Sequence, residues 1–221
     1  MMKIALGYIL TFGWVFLMLG LTLVLKNATN TDDEISRKII HVSVAFAWIP
    51  MYLCFGTSWH LIVPPACFIV LNYISYKKNL FSAMERSDES KKSLGTVYYA
   101  VSMTFMALVS VCHAPVMPCY AAGLFCMALG DGFAPIFGSI KKGNRKLFKT
   151  SRTLYGSISV FVICFLVVLI LSRIFGLDMA VWKLLLVALE ATIMELCGVS
   201  GLDNLTLPVG VFALMILLCL N

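Results

Sequence analysis

Apolar residues in this chain gather in eight long runs, at about residues 4–25, 38–55, 59–76, 94–112, 115–131, 154–175, 179–197 and 205–220. Each run is near the roughly 17–25 residues a helix needs to cross a bilayer. The runs lack the alternation of a membrane β-barrel, so helices are the elements that satisfy the backbone in lipid. The pattern therefore predicts an all-α, polytopic integral membrane helix bundle with about seven to eight transmembrane helices. Short connections at Phe55-Gly56-Thr57-Ser58 and His113-Ala114-Pro115 predict two helical hairpins. With no internal repeat or linker, residues 1–221 read as one transmembrane domain.

Composition agrees with the pattern: 61% of residues are hydrophobic and 13% charged, against about 45–50% and 25% in soluble domains. Met1 to Leu25 is longer than the apolar core of a secretory signal and reads as the first span. The eight cysteines lie in or beside apolar runs without metal-ligand spacing and read as reduced packing residues. The formal charge of +6 does not point to nucleic acid, because the bases sit in short loops between spans. Three loops on one side, after the first, third and fifth runs, hold 14 of the 17 Lys and Arg residues. By the positive-inside rule that side is cytosolic, which puts both termini outside.

Candidate chemistry lies on the same side. Glu34, Arg37, Lys38 and His41 stand at i, i+3, i+4 and i+7, one stripe of a helix entering the membrane. A solvated helix start with a Glu–Lys pair is the plainer reading of that stripe. Gly130-Asp131-Gly132-Phe133-Ala134-Pro135-Ile136-Phe137-Gly138 ends an apolar run with a carboxylate and small residues, followed by the basic stretch to Arg152. Such a segment can hold Mg²⁺ and neutralise phosphates, or simply be a helix stop. Glu195 and Asp203-Asn204 flank the turn before the last run, where Asp203 can equally cap a helix. Lys92-Ser93-Leu94-Gly95-Thr96 opens another run, and Glu190 lies within the seventh, where a bare carboxylate is expensive.

The ordered set Glu34-x-x-Arg37-Lys38-x-x-His41, Lys92-x-x-Gly95-Thr96, Gly130-Asp131-x-x-Ala134-x-x-x-Gly138, Arg152-Thr153-Leu154-Tyr155-Gly156-Ser157, Glu195 and Asp203-Asn204-Leu205-Thr206-x-Pro208 resembles the polyprenol kinase family. That family includes dolichol, phytol and farnesol kinases and CTP-dependent diacylglycerol kinases. The resemblance covers about residues 34–210 as a lipid kinase-like core and leaves 1–25 as an accessory first span. It implies phosphoryl transfer from a nucleoside triphosphate, usually CTP, with Mg²⁺ or another divalent cation, to the primary hydroxyl of a membrane isoprenoid alcohol or diacylglycerol. The Asp131 element is also similar to phosphatidate cytidylyltransferases, and Tyr155 stands where kinase relatives often carry Glu.

On this reading Asp131 and Asp203, assisted by Asn204, hold the metal. Arg37, Lys38, Lys92, Gly138, Lys149, Arg152, Gly156 and Ser157 contact nucleotide and phosphate. Glu195 or His41 is the base, Glu195 first, because a carboxylate near lipid can have a raised pKa suited to proton abstraction. Two rival readings are a cytidylyltransferase-like enzyme and, from another class, a secondary transporter using Glu190. Transporters tend to place coupling charges near the midplane, whereas most acids here collect at one surface.

Overall fold

A computed structural model describes residues 1–29, 33–78, 93–140, 145–147, 152–198 and 201–219. The described residues form helices α1 (Met2–Thr29), α2 (Asp33–Ala45), α3 (Trp48–Phe55), α4 (Val63–Lys78) and α5 (Gly95–Cys112). They continue as α6 (Met117–Phe125), α7 (Gly132–Gly138), α8 (Leu154–Ile174), α9 (Val181–Cys197) and α10 (Asp203–Cys219). Among these residues the one extended pairing is an isolated antiparallel bridge between Lys146 and Thr153. The architecture is all-α and multi-pass, as the apolar runs predict.

Among the described residues six segments are long and apolar enough to cross a membrane: Met2–Thr29, Glu34–Phe55, Trp59–Lys78, Gly95–Cys112, Ala114–Gly138 and Leu154–Ile174. The last two predicted spans form α9 and α10, which at 17 residues each are shorter. Two predicted spans are also broken or extended. Run 38–55 splits into α2 and α3 at Phe46-Ala47, where tighter bonds run from Phe46 N–H to Ser43 O and from Ala47 N–H to Val44 O. Pro50 is the cause, because it has no N–H for the Phe46 carbonyl and its ring crowds that carbonyl. Run 115–131 does not stop at Asp131: a π-helical turn, Cys126–Asp131, leads into α7, which ends at Gly138 and contains Pro135.

By contact density the chain divides into two compact units, Met1–Ala114 and Pro115–Asn221. In the first, α1 packs on α2 and α3, and α4 on α5. Along α1 the buried stripe is Gly7, Thr11, Val15, Leu19 and Thr22, a spacing of three or four that keeps one face inward. Thr11 and Thr22 donate to the Gly7 and Met18 carbonyls at 2.7 and 2.8 Å, so their hydroxyls stay satisfied in an apolar setting. Leu6, Ile9, Phe16 and Leu17 face outward. Trp14 Nε1 donates to Ser43 O at 2.8 Å, tying α1 to the end of α2 just before the break.

In the second unit α8 packs on α9 and α7, and α10 on α6 and α9. Cys126, Met127, Val160, Cys164, Val187, Ala191, Val211 and Met215 are among its fully covered residues. Between helices in lipid, such packing and small-residue contacts, more than exclusion of water, supply the cohesion.

Candidate functional site

Arg152 is the centre of the second unit's polar chemistry. Its Nη1 lies 2.6 Å from Glu195 Oε1, its Nη2 2.8 Å from Asp203 Oδ2, and Nη1 again 3.9 Å from Asp131 Oδ1. The acids come from the end of α9, the start of α10 and the π-turn before α7. All three are buried, Glu195 at 1% exposure, Asp131 at 5% and Asp203 at 8%. Carboxylates so placed need a cation or several hydrogen bonds, because burial strongly opposes the charged form. The planar guanidinium can serve two of them through separate nitrogens, which a Lys ammonium cannot match in geometry.

Local structure explains how these groups meet. The main chain at Arg152 and Leu154 is pinned by Leu147 N–H to Arg152 O at 2.9 Å and Leu154 N–H to Arg145 O at 2.8 Å. Thr153 then caps α8 by accepting from Gly156 N–H, so Arg152 stands at the mouth of that helix. Gly156 lets α7 approach: a Cβ there would fall 3.1 Å from the Ala134 carbonyl oxygen. Gly198 does the same for α9 and α10, since its Cβ would fall 2.9 Å from Asp203 Cβ. Gly201, with φ of 91°, makes the left-handed turn into α10.

Helix dipoles divide the acids. Asp203 sits in the first turn of α10, where negative charge is favoured, while Glu195 sits in the last turn of α9, where it is not. The short pair with Arg152 compensates Glu195. Burial works against the Arg152 charge, and Glu195, Asp131 and Asp203 together outweigh it, raising the guanidinium above the ordinary arginine pKa. Ser157, in the first turn of α8, keeps a buried Oγ with no hydrogen-bond partner among the described residues. Asn204 is buried beside Asp203, whose Oδ1 accepts from the Asn204 N–H at 3.1 Å.

The structure thus unites Asp131, Arg152, Glu195, Asp203 and Asn204, with Gly138, Gly156 and Ser157 on the adjoining ends of α7 and α8. Glu34, Arg37, Lys38, His41 and Gly95 belong to the first unit. There Arg37 Nη2 donates to Glu34 Oε1 at 2.6 Å, an i,i+3 pair on the stripe that the spacing picks out. The His41 ring stands edge-on to Tyr99 with centroids 5.0 Å apart, and Tyr99 Oη donates to the His41 carbonyl at 3.2 Å. Gly95 is buried as the first residue of α5. Lys92 and Lys149 lie outside the described residues. Glu190 is not among the Arg152 carboxylates; it packs against bare Gly210 of α10, and its buried Oε2 has no partner among the described residues.

Sequence reasoning assigned Arg152 to phosphate and did not foresee it as the common partner of the acids. It also missed Thr153 as the α8 cap and Gly198 as the contact that brings Glu195 to Asp203. A Thr three residues before a Gly-Ser start, and a Gly at the end of an acid-bearing run, were the available signals.

Comparison with known proteins adds a second line. The chain is 30% identical over 198 residues to "Probable phytol kinase 1, chloroplastic" of Oryza sativa subsp. japonica, covering 80% of this chain and 62% of that protein. It is 30% identical over 199 residues to "Probable phytol kinase 2, chloroplastic" of Glycine max, covering 85% and 66%. Against "Phytol kinase" of Synechocystis it is 28% identical over 190 residues, covering 84% and 80%. The chain spans a little under two thirds of the length of the first two relatives. No family model and no solved structure matches it. The likeness to polyprenol kinases that the motifs carry is therefore met, over most of the chain, by similarity to proteins named phytol kinase.

Proposed function

We propose that this chain is a membrane kinase that transfers the terminal phosphate of a nucleoside triphosphate, CTP in the first place, to the primary hydroxyl of an isoprenoid alcohol. The observation that carries the reading is the convergence of Asp131, Glu195 and Asp203 on Arg152, reinforced by the similarity to phytol kinases. Phosphoryl transfer asks mainly for positioning, charge neutralisation and one proton acceptor.

In this account the hydroxyl oxygen attacks the terminal phosphorus, the bond from that phosphorus to the bridging oxygen breaks, and the nucleoside diphosphate leaves. Glu195, which the Arg152 pair rather than nearness to lipid keeps ready in the charged form that accepts a proton, takes the hydroxyl proton. Arg152 and the amide end of α8 with the Ser157 hydroxyl face the phosphates, as helix N-termini suit anions. Asp131, Asp203 and Asn204 offer the hard oxygen donors that Mg²⁺ prefers. Among the described residues no three His, Cys, Asp or Glu are grouped to hold an ion by themselves. Asp131, Asp203 and Asn204 would therefore hold Mg²⁺ together with the nucleotide rather than alone. When bound it would supply charge neutralisation on the phosphates. The basic loops would face the cytosol, where nucleotide is available.

The test is a matrix of donors and acceptors. Purified protein with Mg²⁺ would receive CTP or ATP against C20 and short isoprenoid alcohols, polyprenol, diacylglycerol and phosphatidate. The reading expects an isoprenyl phosphate, formed fastest with CTP. Turnover confined to diacylglycerol or phosphatidate would overturn it.

A further inference from the structure

The first unit holds an apolar cavity, open on one side, walled by α1, α3, α4 and α5 and by the end of α2. Its lining runs from Thr11, Met51 and Met103 at one end, past Phe68, to Asn72 and Tyr99 at the other. On both α1, from Thr11 to Leu19, and α4, from Pro64 to Asn72, the wall extends over eight residue steps, about 12 Å at a helical rise of 1.5 Å per residue. None of its lining residues is charged. Thr11 spends its hydroxyl proton on Gly7 O of its own helix, and Tyr99 Oη donates to the His41 carbonyl. Asn72 differs: its Nδ2 donates to Thr96 O at 2.9 Å, and a carboxamide retains acceptor capacity on Oδ1.

A slot of this kind suits one flexible apolar chain ending in an uncharged hydrogen-bond donor. A charged headgroup drawn into the cavity would find no counter-ion among its lining residues. We infer that this cavity seats the hydrocarbon chain of a single-chain isoprenoid alcohol, whose hydroxyl, before nucleotide binds, donates to Asn72 Oδ1. The choice of an isoprenoid alcohol over another single-chain alcohol rests on the kinase reading above; the shape and chemistry of the slot do not.

The test is photo-crosslinking without nucleotide. The full chain in phospholipid nanodiscs receives a diazirine-bearing C20 isoprenoid alcohol, and labelled peptides are mapped. Label should fall on α4 and α5 around Phe68 and Met103, be displaced by excess unlabelled alcohol, and not be displaced by added phospholipid. Ala100→Phe, which fills the slot, should lower labelling at least about tenfold, and the milder Ala100→Leu should lower it partly, with both proteins checked for folding by their melting profiles. Asn72→Leu should weaken labelling by the alcohol about fivefold, the worth of one neutral hydrogen bond, and leave labelling by the matching hydrocarbon unchanged. Label confined to other segments, displacement by phospholipid alone, or equal loss of alcohol and hydrocarbon in Asn72→Leu would overturn the inference. Because no turnover is needed, specific label in a protein that phosphorylates nothing would defeat the kinase reading and leave the slot standing. Phosphorylation of an isoprenoid alcohol that never labels α4 or α5 would do the reverse.

Discussion

At the scale of single residues, Arg152 decides the state of three acids at once. Removing it leaves buried carboxylates without their guanidinium, a change that breaks a buried ion pair and costs about 3 kcal/mol. Arg152→Ala should therefore lower both the melting temperature and turnover, whereas Arg152→Lys should recover part of the stability and little of the turnover, since one ammonium cannot reach Glu195 and Asp203 as the fork does. Thermal unfolding in detergent beside a turnover assay separates the two effects. Asp131→Asn and Asp203→Asn remove charge at nearly constant shape. On the proposed roles each should cut turnover by about 10²–10³-fold, the scale of losing one electrostatic stabiliser, and raise the Mg²⁺ concentration needed for half-maximal rate. Near wild-type turnover in both well-folded variants would dismiss the metal assignment. The identity of these acids was legible in the sequence, because carboxylates beside apolar runs stand out. Their common partner was not: Arg152 and Asp203 are 51 positions apart, and nothing in spacing tells which cation reaches which anion.

At the scale of elements, close approach is set by glycine and by proline. Gly198→Val would put a side chain where Asp203 Cβ already lies at 2.9 Å from the position of the first added carbon. The expected outcome is a larger loss of turnover than of melting temperature, because the ends of α9 and α10 separate while their length stays packed. Thr153→Val removes the α8 cap and should cost about 1 kcal/mol, read as a lower melting temperature. Hydropathy located the helices well, since a membrane span announces itself by length. It did not show where they break, because it averages over the window in which a single residue acts. Pro50 splits one run into α2 and α3, and Pro135 sits one turn beyond Asp131 in a helix that passes through a π-turn. In that setting Asp131 is buried within a helical segment, whereas the sequence pattern placed it at a helix end.

At the scale of the whole molecule, the fold class and the multi-pass architecture were both legible, because lipid leaves the backbone few alternatives. The apolar cavity of the first unit was not, since its walls are mostly apolar residues, with Thr11, Asn72 and Tyr99 among them, dispersed over helices whose pairing no local pattern encodes. Orientation is a molecular property and has its own test. In a version lacking the native cysteines, Asp178→Cys should react with a membrane-impermeant maleimide added to intact cells, and Lys142→Cys should react only after lysis. The opposite pattern would place the basic loops, and with them the site around Arg152, on the outer face.

On the kinase reading the bond made joins the terminal phosphorus to a lipid hydroxyl. Side-by-side reactions with α-labelled and γ-labelled CTP, Mg²⁺ and a C20 isoprenoid alcohol test it most directly. The expected outcome is that γ-label enters the lipid fraction, α-label remains in CDP, and the product is a monophosphate. Label entering lipid from the α-position with release of pyrophosphate, or from neither position, would contradict it.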